Sequence, residues 1–513
     1  MRRFRELAPL LERLSGRIAI LPGIAGDNPR SHPLANILHR AGLLKHVAFL
    51  TLQEAMDSDR FDAQRIWVAL YLSGEHYPQA LDEPLRRFLQ GGGTLLVLPR
   101  PGQPFPFYYN EAGRVVVSAP KFGLHVSGGW EKPPAEHRYT FRRNPQQKIL
   151  TSLPDPFPFP EEGDPRWRPI GNRYGEEALY TPLLTLYDEK GQSVGDGAAW
   201  VEFQRGEFAG ARLGYVWATL LGHPDYQGGL VLDLLRHALS TAMPGLAEGL
   251  CFRTQEPIRV DGRLEEAIWQ QAPRFPLNYG FLEKQGPPER PTEVRCAWDE
   301  RNLYFAFVAE DPDIWSHHTE RDANLWEGEV VEVYLDPDGD GRNYKEFEVN
   351  PLGAGIDLNI EDPARLQEVD RYRRWNAPNW RVAVQAEGTV NRREDRDRRW
   401  VVEMAIPFTD LGLPAAPSVG ETWRVQFYRI ERPQEGKPEF SAWSATDTFH
   451  NPRRFGRLIF APHPYQDDFG LYPEGSKGSP LWGVQAGTWQ VRNGVLVGQD
   501  SGTDGWYPSG LRW

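Results

Sequence analysis

LWEGEVVEVYLDPDGDGRNYKEFEVNPLG, residues 325 to 353, decides how the second half of this chain folds. Apolar and polar side chains alternate through VVEVYLD and again through YKEFEV, the period of two that a β-strand imposes. Between them lies DPDGDGRN, rich in residues that accept turn geometry through side-chain hydrogen bonds or a left-handed backbone. The stretch reads as a hairpin. Alternation sets Val331 and Val333 on one face, packed into a sandwich, and Glu332 and Tyr334 on the other, which is expected to be an outer surface close to Trp326.

Working outward, IRVDGRLEEAIW (258 to 269), CAWDERNLYFAFVAED (296 to 311) and FHNPRRFGRLIF (449 to 460) repeat the theme of short strands, Asp/Gly turns and aromatics at strand ends. Several short strands with turns between them define an all-β sandwich. With the hairpin, these motifs resemble, in the same order, the family 9 carbohydrate-binding modules, β-sandwiches known as appendages of xylanases and related glycosidases. The resemblance implies a saccharide ligand. In binding members of that family two tryptophans clamp the sugar and polar residues on neighbouring strands hold its hydroxyls. Matched by motif, Trp326 takes the place of the first tryptophan, Phe449 that of the second, and Glu332, Glu348 and Asn350 the polar places. Glu348 departs from the pattern, since binding members carry arginine there. The chemistry suits a sugar, which presents an apolar C–H face to a ring and hydroxyls to a carboxylate. The same aromatics would equally serve as caps over the sandwich core.

Two other constellations carry weaker signals. Asp336, Asp338, Asp340 and Gly341 match the opening of a calcium loop, which makes calcium the only cofactor the sequence suggests. The twelfth position, where a bidentate Glu belongs, is Phe347, and the flanks are strands, so an Asp/Gly hairpin turn is the favoured reading. Glu329 and Glu332 are three apart on a strand and face opposite sides, which spoils the convergence a glycoside-cleaving pair needs.

The first 245 residues alternate differently. RIAILPG (17 to 23), HVAFLT (46 to 51), RIWVALYLSG (65 to 74) and TLLVLP (94 to 99) are apolar strands, with helices in HPLANILHRAG (32 to 42) and ALDEPLRRFLQGGG (80 to 93). This order implies a parallel sheet with helices on both faces. Pro-rich stretches at 98 to 107 and 153 to 165 bracket an insertion, after which RLGYVWATLLGH and the helix GGLVLDLLRHALSTAM resume the pattern. LYLSGEHYP, FLQGGGTLLVLP and GYVWATLLGHPDY resemble the flavodoxin-like, class I glutamine amidotransferase superfamily, which also supplies a non-catalytic domain to some β-galactosidases. Catalytic members carry a cysteine on the turn after the strand matched by TLLVLP. Here that turn is Pro99, Arg100, Pro101, so the resemblance implies a domain without the thiolate nucleophile. His223 and Asp225 lie near the expected strand ends, with no nucleophile or metal partner in sight, and read as loop-ordering residues.

A net charge of -12 argues against a nucleic-acid partner. The RREDRDRR run (392 to 399) mixes signs and reads as a solvated hairpin loop. Two cysteines, Cys251 and Cys296, cannot form a disulfide framework and are read as buried thiols, with a single bridge as the alternative. No apolar run reaches the length of a membrane span. The N-terminus reads as an amphipathic helix rather than a signal peptide, leaving location open between the cytoplasm and, for an incomplete N-terminus, the periplasm or exterior. From residue 463 the text suggests the first strands of a further sandwich or jelly roll, expected to be truncated at LRW.

The domain reading is therefore 1 to 247 (α/β), 248 to 462 (β-sandwich) and 463 to 513 (incomplete β segment). Three functions remain open: a saccharide-binding accessory protein with no catalytic residues in the visible domains, a glycoside hydrolase with its site in the α/β half or a further domain, and a scaffold that assembles, as a homo-oligomer, through the α/β domain.

Overall fold

The computed structural model describes residues 2–23, 28–73, 77–98, 107–109, 115–117, 125–126, 138–159, 170–216, 220, 224–283, 285–433, 436–463, 469–477, 481, 483–484, 488–499 and 511–512. The chain divides into two compact units, Met1–Leu246 and Ala247–Trp513.

In the first unit, Val47–Phe49, Ile18–Ile20, Val68–Tyr71, Thr94–Val97 and Arg212–Val216 lie side by side, all parallel. These strands are apolar on both faces because both faces are covered. Ile18, Ile20, Leu70 and Leu96 pack with Leu11 and Leu38, and with Leu235 of helix Pro224–Ser240. Ala19, Ala69 and Leu95 pack on the other side with Leu85 and Phe88 of helix Asp82–Gln90. The sheet then continues antiparallel through Ser193–Phe203, Ala178–Tyr187 and Thr140–Arg143. The two long strands hide from a pattern search because Pro182 and Gly195 interrupt them. Pro99, Arg100, Pro101 and His223 lie outside the described residues, as does the side chain of Asp225.

In the second unit one sheet runs through ten strands: Gly355–Ile360, Tyr344–Val349, Val330–Asp336, Thr422–Glu431, Gly456–Ala461, Glu248–Arg253, Thr292–Trp298, Asn302–Glu310, Arg399–Pro407 and Arg381–Glu387. Its two halves fold over a common core. Val331, Val333, Phe347 and Phe427 from one half share a cluster with Cys296, Phe305, Phe307 and Met404 from the other. Burying these side chains supplies the main driving force for the fold. Trp269, Trp400 and Trp423 are fully buried, so three of the chain's 18 tryptophans are core material.

Cys251 and Cys296 are free and buried on neighbouring strands, and burial pushes the Cys251 thiol upward. The RREDRDRR run joins Arg381–Glu387 to Arg399–Pro407 as an exposed hairpin connection. Its one buried member, Asp397, accepts hydrogen bonds from the Ile314 and Thr389 amides, both at 2.7 Å. The segment from 463 onward, expected as the start of another sandwich, contributes Tyr472, Leu481 and Val491 to the same apolar cluster as the sandwich core. Among the described residues no helix is long and apolar enough to cross a membrane.

Candidate functional site

The hairpin of residues 330 to 349 sorts its side chains by alternation. Val331 opposes Val349 and Val333 opposes Phe347 on the core side, while Glu332 opposes Glu348 and Tyr334 opposes Glu346 on the other. That second face is not an outer surface. Glu332, Tyr334 and Glu348 are each only 1 % exposed. The expectation of a solvated face fails because further segments lie over it: Phe281, Phe440, Tyr372 and Phe449 form a second apolar cluster with Tyr334 and Tyr428.

Under that cover lies a pocket of about 410 Å³, within the range of small-molecule sites. Trp326, Glu332, Glu348 and Phe449, matched from two separate stretches of sequence, all line it. Trp326 sits in the turn Leu325–Glu327, half-buried, its carbonyl accepting from Arg432 Nη2 at 2.8 Å. Phe449 packs against Phe281 and Tyr428, with ring centroids 4.9 Å away in each case. Both rings also border the second apolar cluster, so capping and pocket-lining coincide in the same residues.

Asn350 is placed differently. It does not line the pocket. Its amide donates to Ser316 Oγ and the His318 carbonyl, and its oxygen accepts from the Leu352 and Ala354 amides. With its side chain committed to the turn at 350 to 354, Asn350 supports the site from outside. Glu346, Arg432 and His450 line the pocket without having been singled out in the sequence. Glu346 was legible in principle, two residues before Glu348 on one strand face. Arg432 and His450 reach the pocket through tertiary packing that no local pattern signals.

The electrostatics of the pocket are unusual for an interior. Glu332, Glu346 and Glu348 each keep one buried carboxylate oxygen, Oε2, without a hydrogen-bond partner. Glu346 Oε1 accepts from Tyr334 Oη at 2.9 Å. Burial first, then the neighbouring carboxylates, hold Glu332 and Glu348 well above the usual carboxylate range. Burial pulls His450 down, and its Nδ1 lies 2.9 Å from Tyr344 Oη.

A second buried acidic group lies elsewhere in the same unit. Asp311, Glu329 and Glu431 bring carboxylate oxygens within 4.8 Å of one another. Here a cation is built in: Arg429 Nη2 donates to Asp311 Oδ2 at 2.9 Å and also to Glu431, and Arg429 Nη1 donates to the Glu310 carbonyl at 2.7 Å. Arg290 Nε adds an ion pair to Glu431 at 3.2 Å. Glu329, buried beside Glu431 and Asp311, is pushed up to about 11 and so stays protonated at neutral pH. It faces away from Glu332, as the strand spacing requires.

At the hairpin tip, Asp336, Asp338 and Asp340 also have oxygens within 4.8 Å of one another. The Gly341 amide donates to Asp336 Oδ2 at 3.0 Å and the Arg342 amide to Asp340 Oδ1 at 2.7 Å. Gly339 and Gly341 have φ of 67° and 74°, which only glycine adopts readily. Phe347 is buried in the core and supplies no ligand. Three carboxylates, one of them with a buried, unpartnered oxygen at Asp336 Oδ1, suit a hard cation but fall short of the six to eight oxygens calcium takes.

Residues 260–461 match the family model described as "Carbohydrate family 9 binding domain-like". This part of the chain is therefore a β-sandwich similar to the carbohydrate family 9 binding domains. No curated protein matches the chain. Among solved structures, a family 9 carbohydrate-binding module from Caldicellulosiruptor kristjanssonii in complex with cellotriose is similar at 15 % identity and a TM-score of 0.31, covering 44 % of this chain and 98 % of that one. A β-galactosidase from Bacillus circulans sp. alkalophilus is similar at 11 % identity and a TM-score of 0.29, covering 67 % of this chain and 41 % of the enzyme.

Proposed function

We propose that this protein binds a saccharide in the pocket between Trp326 and Phe449, as an accessory to glycoside breakdown. The observation that carries this is the convergence of Trp326, Glu332, Glu348 and Phe449 on one pocket in which Glu332, Glu346 and Glu348 each leave one buried carboxylate oxygen without a partner. A sugar supplies what they lack: hydroxyl donors for the oxygens and a C–H face for the rings. Ring stacking gives affinity, and the carboxylates fix orientation. Calorimetric titration of the full chain with glucose, cellobiose and soluble polysaccharides tests this, and a chain that takes up none of them overturns it.

The first unit, in this reading, is an amidotransferase-like domain that no longer catalyses. What supports it is the run of parallel strands with helices on both faces and the absence of cysteine from the turn sequence Pro99, Arg100, Pro101. Ammonia release from glutamine by the purified protein would count against it. Calcium at Asp336, Asp338 and Asp340 is the weaker part of this reading, since three carboxylates would need further oxygens from water to complete its shell.

A further inference from the structure

The three glutamates of the pocket raise a question of charge that a neutral sugar does not answer. They belong to paired strands, Glu332 directly opposite Glu348 and Glu346 two residues along the same face. Two guanidiniums are near; both bond to other groups, and Arg373 offsets the rise of Glu348 only as the last and smallest of its influences. Arg432 donates from Nε to the Gly328 carbonyl at 3.2 Å and from Nη2 to the Trp326 carbonyl. Arg373 donates to Asn324 Oδ1 at 2.6 Å and lies 5.8 Å over the Trp326 ring. Neither forms an ion pair with a pocket glutamate. His450 Nδ1 is 4.0 Å from Glu346 Oε2, but burial favours its neutral form.

An uncompensated group of carboxylates is expensive to bury unless a proton or a cation joins it. A single metal ion fits poorly. Among the described residues, the groups that gather three ligand atoms within 4.8 Å are His317/His318/Glu327, Asp311/Glu329/Glu431 and Asp336/Asp338/Asp340; the pocket glutamates do not converge in that way. A ligand with its cation on a larger frame fits better. An ammonium offers three donors and a positive charge, and its hydrogen bonds to carboxylates are about twice as strong as neutral ones. The half-buried Trp326 and Phe449 supply the apolar surface for the rest of a pyranose ring.

Building on the saccharide reading above, we infer that the pocket prefers an amino sugar with a free, protonated amine, set among Glu332, Glu346 and Glu348. The ammonium keeps its proton, and a proton held among the carboxylates leaves to the buffer as the ligand enters. Neutral sugars release none.

The test is titration of the full chain at neutral pH with glucose, cellobiose, glucosamine, the β-1,4 dimer of glucosamine, and N-acetylglucosamine, repeated in buffers of different ionisation enthalpy. The expected result is glucosamine and its dimer binding at least tenfold tighter than the matching neutral sugars, with proton release only for the amines. Glu346→Gln should narrow the ratio between glucosamine and glucose. Neutral sugars binding as tightly as the amines would overturn this inference and leave the saccharide pocket standing. Silence from all five ligands would overturn both.

Discussion

The sandwich buries two groups of acidic side chains, and it treats them in opposite ways. Asp311, Glu329 and Glu431 surround Arg429, and every Arg429 contact described above ends on an acceptor of the protein itself. In that arrangement the charges are matched, and Glu329, whose two oxygens also find no hydrogen-bond partner, holds a proton. Glu332, Glu346 and Glu348 border a pocket, each with an unpartnered oxygen, and among the described residues no guanidinium is in ion-pair contact with them. The difference teaches how to tell structural from functional acid in a core. Where the protein supplies the counter-charge the group serves the fold, and where it withholds it we propose that a ligand completes the group.

The comparison can be broken most directly at Arg429. Arg429→Met leaves Asp311 buried without its cation and Glu431 with Arg290 alone, and should destabilise the protein by about 3–5 kcal/mol in urea unfolding. A loss under about 1 kcal/mol would show that this group is not held by its arginine. Next in size, Trp326→Ala should weaken saccharide binding by about 1–3 kcal/mol with unfolding unchanged. Equal affinity in mutant and parent would remove Trp326 from the site.

A pH measurement sharpens the picture at the hairpin tip. Burial, partly offset by the Gly341 amide, pushes Asp336 up to about 8 from an ordinary 3.8. The folded chain keeps a proton that the unfolded chain has lost, so this group makes stability fall as pH rises from about 4 to about 8, by at most about 1.4 kcal/mol per pH unit. Asp336→Asn should flatten that slope. Bound calcium should raise the melting temperature more at pH 8 than at pH 5, because it competes with the proton; an equal shift at both would count against a cation there. The smallest effect is expected from Glu348→Gln. Burial and the neighbouring carboxylates keep Glu348 protonated, so the neutral amide should leave stability unchanged or higher by about 1 kcal/mol, while saccharide affinity falls. A clear loss of stability would mean that Glu348 has a partner in the fold after all.

Much of this was legible in the chain. The alternation in VVEVYLD and YKEFEV set Glu332 and Glu348 on the face opposite Val331, Val333 and Val349, because a strand's side chains have a strict period of two. The parallel strands of the first unit declared themselves as apolar runs, since both of their faces are covered. Asn350 was legible as a neighbour of the site but not in its role. An amide side chain can serve a ligand or its own turn equally well, and only the positions of Ser316, His318, Leu352 and Ala354 settle which.

The sequence by itself determined periodicity: which residues are strand, which are turn, and which side chains share a face. It could not determine whether the glutamate face meets water or protein. That was decided by Phe281, Tyr372, Phe440 and Phe449, brought over the hairpin from segments far apart in the chain, because burial is a property of what packs on a face and not of the face itself. The same cover takes the three carboxylates out of water, and it is the loss of hydration that raises Glu332 and Glu348 well above the usual carboxylate range.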